Sequence, residues 1–242
     1  VRYAAAVGPA IEGRNRTGSG YKRIPPAVYP RNLDKGDKPE LYKRIVKEAD
    51  ADKTTSFNVT LLSGRTFDFL LWADYAEDGG NEDMHYTTVN GLKEVTRSEK
   101  TYITDEQHDY KLAATRDAFS AHRQVTADAP INETIILTRA VAQLNIFTTD
   151  YEQVEESFRP AYTGLTITTA ANFNVLTGTS FGSAASNLRS YVAVKTEKEG
   201  TAPDKNKVFT GYYFTSSEGK NVVDMDVHFY RADNSKVVTY NM

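Results

Sequence analysis

The sequence predicts an antiparallel all-β protein. Short runs of alternating apolar and polar residues recur along the 242-residue chain, with turn-forming residues between them. Tyr and Phe, which suit sheet surfaces, number 15 and 11. Helical patterns are few and short. Many short strands with turn-rich joints are typical of β-sandwiches.

Composition limits the functional classes. The net charge of −3 and the scattered basic residues argue against nucleic-acid binding. No apolar run approaches the ~20 residues of a membrane-spanning helix. The absence of cysteine excludes disulfides and thiolate chemistry. We also expect no signal peptide, because Val1 starts directly in ordinary sequence.

The first fifty residues give weak signals. Val1–Val7 is predicted to be a short strand and Gly8–Gly20 a loop. Four prolines then indicate an irregular stretch between positions 25 and 39. Glu40–Ala49 fits either a helix that begins after Pro39 or a paired edge strand.

Thr55–Tyr75 is predicted to be a β-hairpin. Phe57, Val59 and Leu61 alternate with polar residues along the first arm. The Ser63-Gly64 pair supplies a turn, and the return strand runs to Trp72.

Three segments carry short helical patterns. Val89–Val95 and Thr115–Ser120 are each predicted to form one helical turn, the second capped by Thr115. Asp150–Phe158 is predicted to be a short helix capped by Thr149 or Asp150, and it is the best candidate for a connector between domains.

Ile135–Asp150 is the densest apolar run. Both alternation phases are apolar before Thr138, whereas from Ala140 to Ile146 the even positions are apolar and the odd positions include Gln143 and Asn145. We predict one long strand with a change of face, or a bulge, near Thr138. A helix is the alternative, because Ala140, Val141 and Leu144 also fit a helical stripe; the β-branched flanks favour the strand.

Further strands are predicted in the C-terminal part. The alternation is clearest where Val223, Met225, Val227 and Phe229 form an apolar phase. The predicted strands are Gly164–Thr169, Phe173–Leu176, Val208–Thr215, Val222–Tyr230 and Lys236–Met242.

Catalytic chemistry has no support in the sequence. No nucleophile elbow, zinc-protease motif, phosphate-binding loop or dinucleotide fingerprint occurs. His85 and the Asp105–Asp109 run, which includes His108, are interpreted as solvated acidic loops. His228 is interpreted as a surface residue and Trp72 as a core residue. We therefore predict no enzyme, no catalytic residue, no metal and no cofactor.

Five segments in order carry a family resemblance. They resemble the fimbrillin-like proteins of Bacteroidetes, which are the type V pilins and their accessory subunits, and the match extends over roughly Thr55–Gly178. The segments are Leu62–Tyr75 (LSGRTFDFLLWADY), Gly91–Val95 (GLKEV), Arg116–Phe119 (RDAF), Leu137–Ile146 (LTRAVAQLNI) and Phe173–Gly178 (FNVLTG).

The resemblance implies an architecture. It implies two transthyretin-like antiparallel β-sandwich domains with a few short helices. The first domain would span residues 1–159 and the second residues 160–242, the latter lacking its last strand. Ile135–Phe147 would be the closing strand of the first sandwich.

The resemblance also implies a function. Such proteins are exported as lipoproteins, cut by a protease and joined by donor-strand exchange. The chain would then be a structural subunit of a cell-surface fimbrium or pilus, associated with the outer membrane and supporting adhesion. Its partners would be other fimbrial subunits, as a homopolymer or with accessory subunits, and host proteins or glycans.

Two alternatives belong to other functional classes. The first is a fimbrial tip or surface-anchored adhesin that binds a host protein or glycan through Ala76–Asp83 and Ser180–Arg189. The second is a secreted carbohydrate-active enzyme that uses acidic residues of Asp105–Asp109.

Strand addition needs an apolar groove. We predict that the groove is lined by the core around the central strand and the hairpin. Its candidate residues are Phe57, Phe67, Phe69, Leu71, Trp72, Leu137, Val141, Leu144 and Ile146.

Overall fold

The computed structural model describes residues 26–30, 43–46, 55–75, 85–88, 91–97, 116–148, 153–160, 162–188, 207–215, 225–231, 233 and 235–241. The prediction of an all-β fold is confirmed, and the strand pairs in this part of the chain run antiparallel. One short 3-10 helix, Glu156–Phe158, accompanies the strands.

Fifteen strands are described. They are β1 (Pro26–Pro30), β2 (Lys43–Arg44), β3 (Thr66–Ala73), β4 (Tyr86–Thr87), β5 (Val95–Arg97), β6 (Phe119–Thr126), β7 (Thr138–Arg139), β8 (Ala142–Phe147), β9 (Tyr162–Thr169), β10 (Asn172–Asn174), β11 (Thr179–Phe181), β12 (Ala184–Leu188), β13 (Lys207–Tyr213), β14 (Met225–Tyr230) and β15 (Lys236–Asn241).

The chain divides into two compact units that interleave along the sequence. The first unit takes residues 1–99, 117–140 and 172–180, and the second takes 100–116, 141–171 and 181–242. The predicted domain boundary at 159/160 lies within the 141–171 segment of the second unit and stays a prediction.

The first unit contains two sheets. One has the order β2-β1-β3-β6-β7 and the other β11-β10-β5-β4. Strand β3 is buried along almost its whole length. Phe67, Phe69 and Leu71 lie in one apolar cluster, while Trp72 points to the opposite face and packs edge-on against Tyr86 at 5.4 Å. Both faces of β3 are therefore core.

The predicted hairpin is wrong in its pairing. The return arm is β3, but it pairs with β1 and β6, and residues 55–62 form no strand. Phe57, Val59 and Leu61 instead pack on the same cluster as the inner side chains of β3. The two arms thus stack face to face: both edges of β3 are occupied by β1 and β6, and the first arm buries its apolar side chains on the sheet.

The turn between these two arms is held by hydrogen bonds to Ala127, a residue outside both arms. Gly64 has a φ of 73°, in the left-handed region that glycine tolerates. Its N–H donates to the Ala127 carbonyl at 3.1 Å, and the Ala127 N–H donates to the Arg65 carbonyl at 2.9 Å.

The predicted long central strand is wrong: it is two strands. Strand β7 pairs with β6 in the first unit, and β8 pairs with β13 in the second. The break falls at Ala140–Val141, where the Ala140 N–H donates to the Ala118 carbonyl at 2.9 Å. The change of face that the sequence indicates near Thr138 is therefore a change of unit, and no helix forms.

The predicted helical turns are mostly wrong. Residues 91–94 form a tight turn closed by Glu94 N–H donation to the Gly91 carbonyl at 3.3 Å, and β5 begins at Val95. The Thr115–Ser120 pattern leads into β6. Within the described part of the predicted connector helix, residues 153–158, a 3-10 helix spans Glu156–Phe158. The predicted caps at 115, 149 and 150 lie outside the described residues, as do Val1–Val7 and Gly8–Gly20.

The other strand predictions agree with the structure where it describes them. Lys43–Arg44 is an edge strand, which decides the alternative for that part of Glu40–Ala49. The predicted strands of the C-terminal part correspond to β9, β10, β13, β14 and β15. Strand β1, which the prolines obscured, holds Pro26 and Pro30 at its two ends, where a missing N–H costs least.

An ion pair ties β7 to the start of β6. The Arg139 Nε and Nη2 atoms donate to the two oxygens of the buried Asp117 carboxylate at 2.9 and 2.8 Å. Asp117 also accepts from the Ala118 N–H at 3.0 Å, and Arg139 lies over the Phe119 ring. Removing the cation from such a buried pair leaves a desolvated carboxylate, which lowers the free energy of unfolding.

We predict that Arg139→Ala lowers the free energy of unfolding by about 1–3 kcal/mol, because it leaves the buried Asp117 carboxylate without its cation. Urea unfolding measures this change. The control is Arg123→Ala, which breaks a more exposed pair with Glu133 and should cost less than about 1 kcal/mol. Equal losses in both variants would contradict the prediction.

We also predict a pH effect at Lys93. Burial lowers the pKa of this ammonium, and the Asp68 carboxylate partly offsets the shift. The unfolded chain then binds more protons than the folded chain between the lowered pKa and the ordinary value of 10.5, so stability should rise with pH in that window. Urea unfolding of wild type and Lys93→Met across this range should differ in slope, and parallel curves would contradict the prediction.

Candidate functional site

The second unit is a sandwich of two unequal sheets. The larger has the order β12-β9-β14-β15, and the smaller contains only β13 and β8 among the described residues. The Ala170–Phe214 bridge joins the end of β13 to the end of β9. The small sheet is therefore anchored over the β9 side of the large one.

The registers identify the inner face of the large sheet. Val227 of β14 is opposite Leu165 of β9 and Tyr240 of β15, and Phe229 is opposite Val238. Residues directly opposite each other in an antiparallel pair point to the same face. Val238 and Tyr240 therefore lie on the core side of β15.

Exposure rises steadily across this inner face. Leu165 and Val227 are 1% exposed and Phe229 is 9% exposed, whereas Val238 is 36% and Tyr240 is 55% exposed. Tyr240 packs edge-on against Phe229, at 5.9 Å between ring centres. The core is thus closed at β9 and β14 and open at β15.

The small sheet shows the same gradient. Val208 and Phe209 of β13 are fully buried, while Leu144 and Ile146 of β8 are only partly buried against the cluster that contains Val227 and Phe229. Both strands of the small sheet therefore pack on the same core as β9 and β14. We call the exposed inner face of β15, formed by Val238 and Tyr240, the open side.

Two edge strands of this unit, β8 and β15, lack the usual protection of edge strands. Strand β8 has six residues and no charge, and β15 has no charge after Lys236. The edges of the five-stranded sheet are instead two-residue strands, β2 and β7, each with a basic residue. Short or charged edges prevent unwanted pairing. Strand β12 also lacks charge, but β8 and β15 additionally expose apolar inner side chains.

Polar side chains lie on the other face of the small sheet, where Thr210 and Tyr212 are buried. The Thr210 hydroxyl donates to Asn145 Oδ1 at 2.8 Å, and the Gln143 amide donates to the same oxygen at 3.4 Å. The Thr210 contact joins β13 to β8.

The outer face of the large sheet is also polar. His228 hydrogen-bonds to the hydroxyls of Thr166 at 3.0 Å and Thr239 at 2.9 Å, and the Asn241 amide donates to Asp226 at 2.8 Å. These contacts join β9, β14 and β15 and give the sheet a hydrophilic exterior. His228 therefore lies on the polar face of β14, as the alternation in the sequence predicted.

The predicted groove residues fall in different places. Phe57, Phe67, Phe69, Leu71 and Leu137 lie together in the first unit, and all are buried within the chain. Trp72 lies on the other face of β3, against Tyr86 and Phe173. Val141 is buried at the start of the second unit. Leu144 and Ile146 are partly buried against the core of the second unit. An assembly role for the whole set stays a prediction.

Val238 and Tyr240 are not among the groove residues predicted from the sequence. Their alternation identified a strand but not its position at an edge. In the sequence, the signal for an exposed edge strand is the lack of charged residues after Lys236. The smaller number of strands in the facing sheet is visible only in the structure.

Other predicted contact residues can be located only in part. Ala76–Asp83 and Asp105–Asp109 lie outside the described residues. The described part of Ser180–Arg189 consists mostly of β11 and β12 residues. His85, interpreted as part of a solvated loop, precedes β4 but is buried. Within the described ranges no three His, Asp or Glu side chains form a metal-binding group. No helix in this part of the chain could cross a membrane.

A family comparison gives one match. The family described as "Family of unknown function (DUF6562)" matches residues 14–242. Comparison with curated proteins found no match.

Solved structures show the same fold at low identity. A Bacteroides thetaiotaomicron protein of the DUF1812 group, with an inferred role in polysaccharide binding, is 11% identical with a TM-score of 0.57, covering 99% of this chain and 80% of its own. An inferred adhesin from the same organism is 11% identical with a TM-score of 0.54, covering 98% and 79%. An inferred adhesin from Bacteroides ovatus is 11% identical with a TM-score of 0.54, covering 99% and 76%.

The open side predicts a contrast in stability between neighbouring aromatic residues. Phe229→Ala should cost about 3–5 kcal/mol, because it empties a closed core. Tyr240→Ala should cost less than about 1 kcal/mol, because more than half of this side chain is already in water. Urea unfolding of both variants measures the difference. A loss at Tyr240 as large as that at Phe229 would mean that the side is closed.

Proposed function

Because this chain belongs to the DUF6562 family, whose function is unknown, we propose its role from its fold and its open side. It is a structural subunit of a cell-surface fimbria that joins its neighbours by strand addition and supports adhesion. It acts outside the cell, in association with the outer membrane, and it has no enzymatic activity. Removal of an N-terminal segment by proteolysis precedes its assembly.

One observation carries this proposal: the apolar inner face of β15 is exposed, and β15 is the last strand of its sheet among the described residues. A strand added at such a site gains main-chain hydrogen bonds along the edge and buries alternate side chains in the core. The same event removes an edge that would otherwise promote aggregation. Strand addition therefore accounts for both features of the open side together.

The fold supports the proposed surface role. Of the three solved structures compared above, two are named as inferred adhesins and one for polysaccharide binding. The family resemblance of the segments between Thr55 and Gly178 supports the fimbrial form of that role.

A second candidate is a fimbrial tip or surface-anchored adhesin that binds a host protein or glycan. The polysaccharide-binding role inferred for one structural neighbour favours it. Glycan-array binding by a protein that forms no filaments would favour this candidate over the structural subunit.

We predict that Tyr240→Lys prevents assembly. A lysine here places a charge on the inner face of β15, where an added strand would desolvate it. Electron microscopy and size-exclusion chromatography of the protein from its native cell surface should show filaments for wild type and single subunits for the variant.

The matched control is Ile136→Lys, which puts the same charge at another exposed apolar position, in the first unit. It should leave filaments unchanged. Thermal unfolding of both variants verifies that they remain folded. Filaments of normal length with Tyr240→Lys would count against assembly through the open side.

A further inference from the structure

We propose that the outer face of the large sheet in the second unit binds a neutral glycan. The site, which we call the outer patch, consists of Thr166, Asp226, His228, Tyr230, Thr239 and Asn241. This proposal gives the adhesion in the proposed function a site and a ligand class. It rests on the proposed surface role but not on strand addition, because it uses the face of β15 opposite Val238 and Tyr240.

The strand registers bring the polar side chains of this face into two neighbouring rows. His228 of β14 is opposite Thr239 of β15. Asp226, two residues earlier, is opposite Asn241 of β15 and Thr166 of β9. Neighbouring strands lie about 4.8 Å apart, so three strands cover about 10 Å of sheet. The side chains of the two rows are therefore close enough to contact one ligand.

The outer patch faces solvent at β15. Thr239 and Asn241 are exposed, while Asp226 and His228 are half-buried. Val227, on the other face of β14, is 1% exposed. Strand β14 thus turns its apolar side chains to the core and its polar side chains outward. The polar groups at β15 are accessible to a ligand in solution.

Hydrogen bonds hold these side chains in place without using all of their capacity. The two ring nitrogens of His228 bond to the hydroxyls of Thr166 and Thr239 at 3.0 and 2.9 Å. The Asn241 amide donates to Asp226 Oδ1 at 2.8 Å. A hydroxyl offers one donor and two acceptor sites, and an amide group offers two donors and an acceptor oxygen. Thr239 and Asn241 can therefore bond to a ligand from positions that are already fixed, which lowers the entropy cost of binding.

Tyr230 adds an aromatic surface beside the polar rows. Its ring leans from β14 over Gly164 of β9, where a Cβ atom would come within 3.1 Å of Tyr230 Cε2. The ring centre lies 6.2 Å from that of His228, with 58° between the planes. The missing side chain at Gly164 thus makes room for the ring. Aromatic rings also pack over sheet glycines for stability alone, so a variant that keeps the ring is needed to separate the two roles.

The chemistry of the outer patch fits a neutral ligand that carries many hydroxyl groups. Asp226 is the charged member of the two rows, and a sulfated or sialylated ligand would meet its negative charge. Lys236 is opposite Tyr230 in the register, at the end of the patch away from Asp226. Sugar hydroxyls both donate and accept, as the exposed threonine and asparagine groups require, and the C–H groups of a sugar ring pack on an aromatic ring. A protein partner would instead need a largely apolar centre of contact.

NMR titration of isotope-labelled, full-length protein tests the proposal. The probes are neutral hexasaccharides of glucose, mannose and N-acetylglucosamine, with a heparin hexasaccharide as the anionic comparison. A neutral probe should shift the side-chain resonances of Thr239, Asn241 and Tyr230 and leave those of Val238 unchanged. No binding of any neutral probe at millimolar concentration, or tighter binding of the heparin probe, would overturn the proposal.

Substitutions of the aromatic residue separate binding from packing. Tyr230→Leu should weaken binding at least about tenfold, whereas Tyr230→Phe, which keeps the ring, should stay within about twofold of wild type. The matched control is Tyr240→Leu, which removes an aromatic ring from the opposite face of β15 and should bind as wild type does. Wild-type affinity in Tyr230→Leu, or an equal loss in Tyr240→Leu, would overturn the assignment to this face.

The exposed amide provides a second test that does not disturb packing. Asn241→Ala should weaken binding severalfold, because it removes a fixed donor and acceptor. Asn132→Ala, which removes an exposed amide of the first unit, should leave binding unchanged. Thermal unfolding verifies that each variant is folded. Equal affinities of the two variants would overturn the role of the polar rows.

The two faces of β15 separate this proposal from the proposed function. Tyr240→Lys should lose filaments and keep glycan binding, while Asn241→Ala should keep filaments and lose affinity for the glycan. Filaments in wild type without glycan binding would retain the structural subunit and reject the outer patch as a site. Glycan binding that is lost in Tyr240→Lys as fully as in Asn241→Ala would also reject it.

Discussion

The inner face of every strand in a β-sandwich must be covered by the opposite sheet, and the second unit meets this requirement only in part. Leu165 and Val227 are covered, while Val238 and Tyr240 are not. The burial gradient, the partly exposed core side of β8 and the position of the open side all follow from that mismatch. The described residues supply four strands on one side of the core and two on the other.

The first unit solves the same problem differently. Its five-stranded sheet is covered on one face by an extended segment, residues 55–61, that packs its side chains without joining a ladder. Covering the apolar face of a sheet is therefore a different requirement from hydrogen-bonding its strands. In the second unit, β15 is paired with β14, but its inner face is exposed. An added strand supplies both a hydrogen-bonded neighbour and apolar side chains, so it suits this site.

The sequence predicted the elements better than their assembly. The alternation of apolar and polar residues predicted the positions of β3, β9, β14 and β15, because the two-residue period of a strand can be recognised within a short stretch of sequence. It could not show that the Phe57 arm stacks on β3, or that the apolar run around Ala140 crosses from one unit to the other. Both depend on contacts between residues that are distant in sequence. For the same reason, most predicted groove residues proved to be closed core, and Tyr240 was not identified.

The length of β8 has a mechanical consequence. A strand docked along all six of its residues and pulled along its own axis is loaded in shear, so its hydrogen bonds must break together. The same strand peeled from one end would lose them one at a time. If tension in an assembled fibre runs parallel to β8, a short ladder with modest equilibrium affinity can still hold for long periods under load.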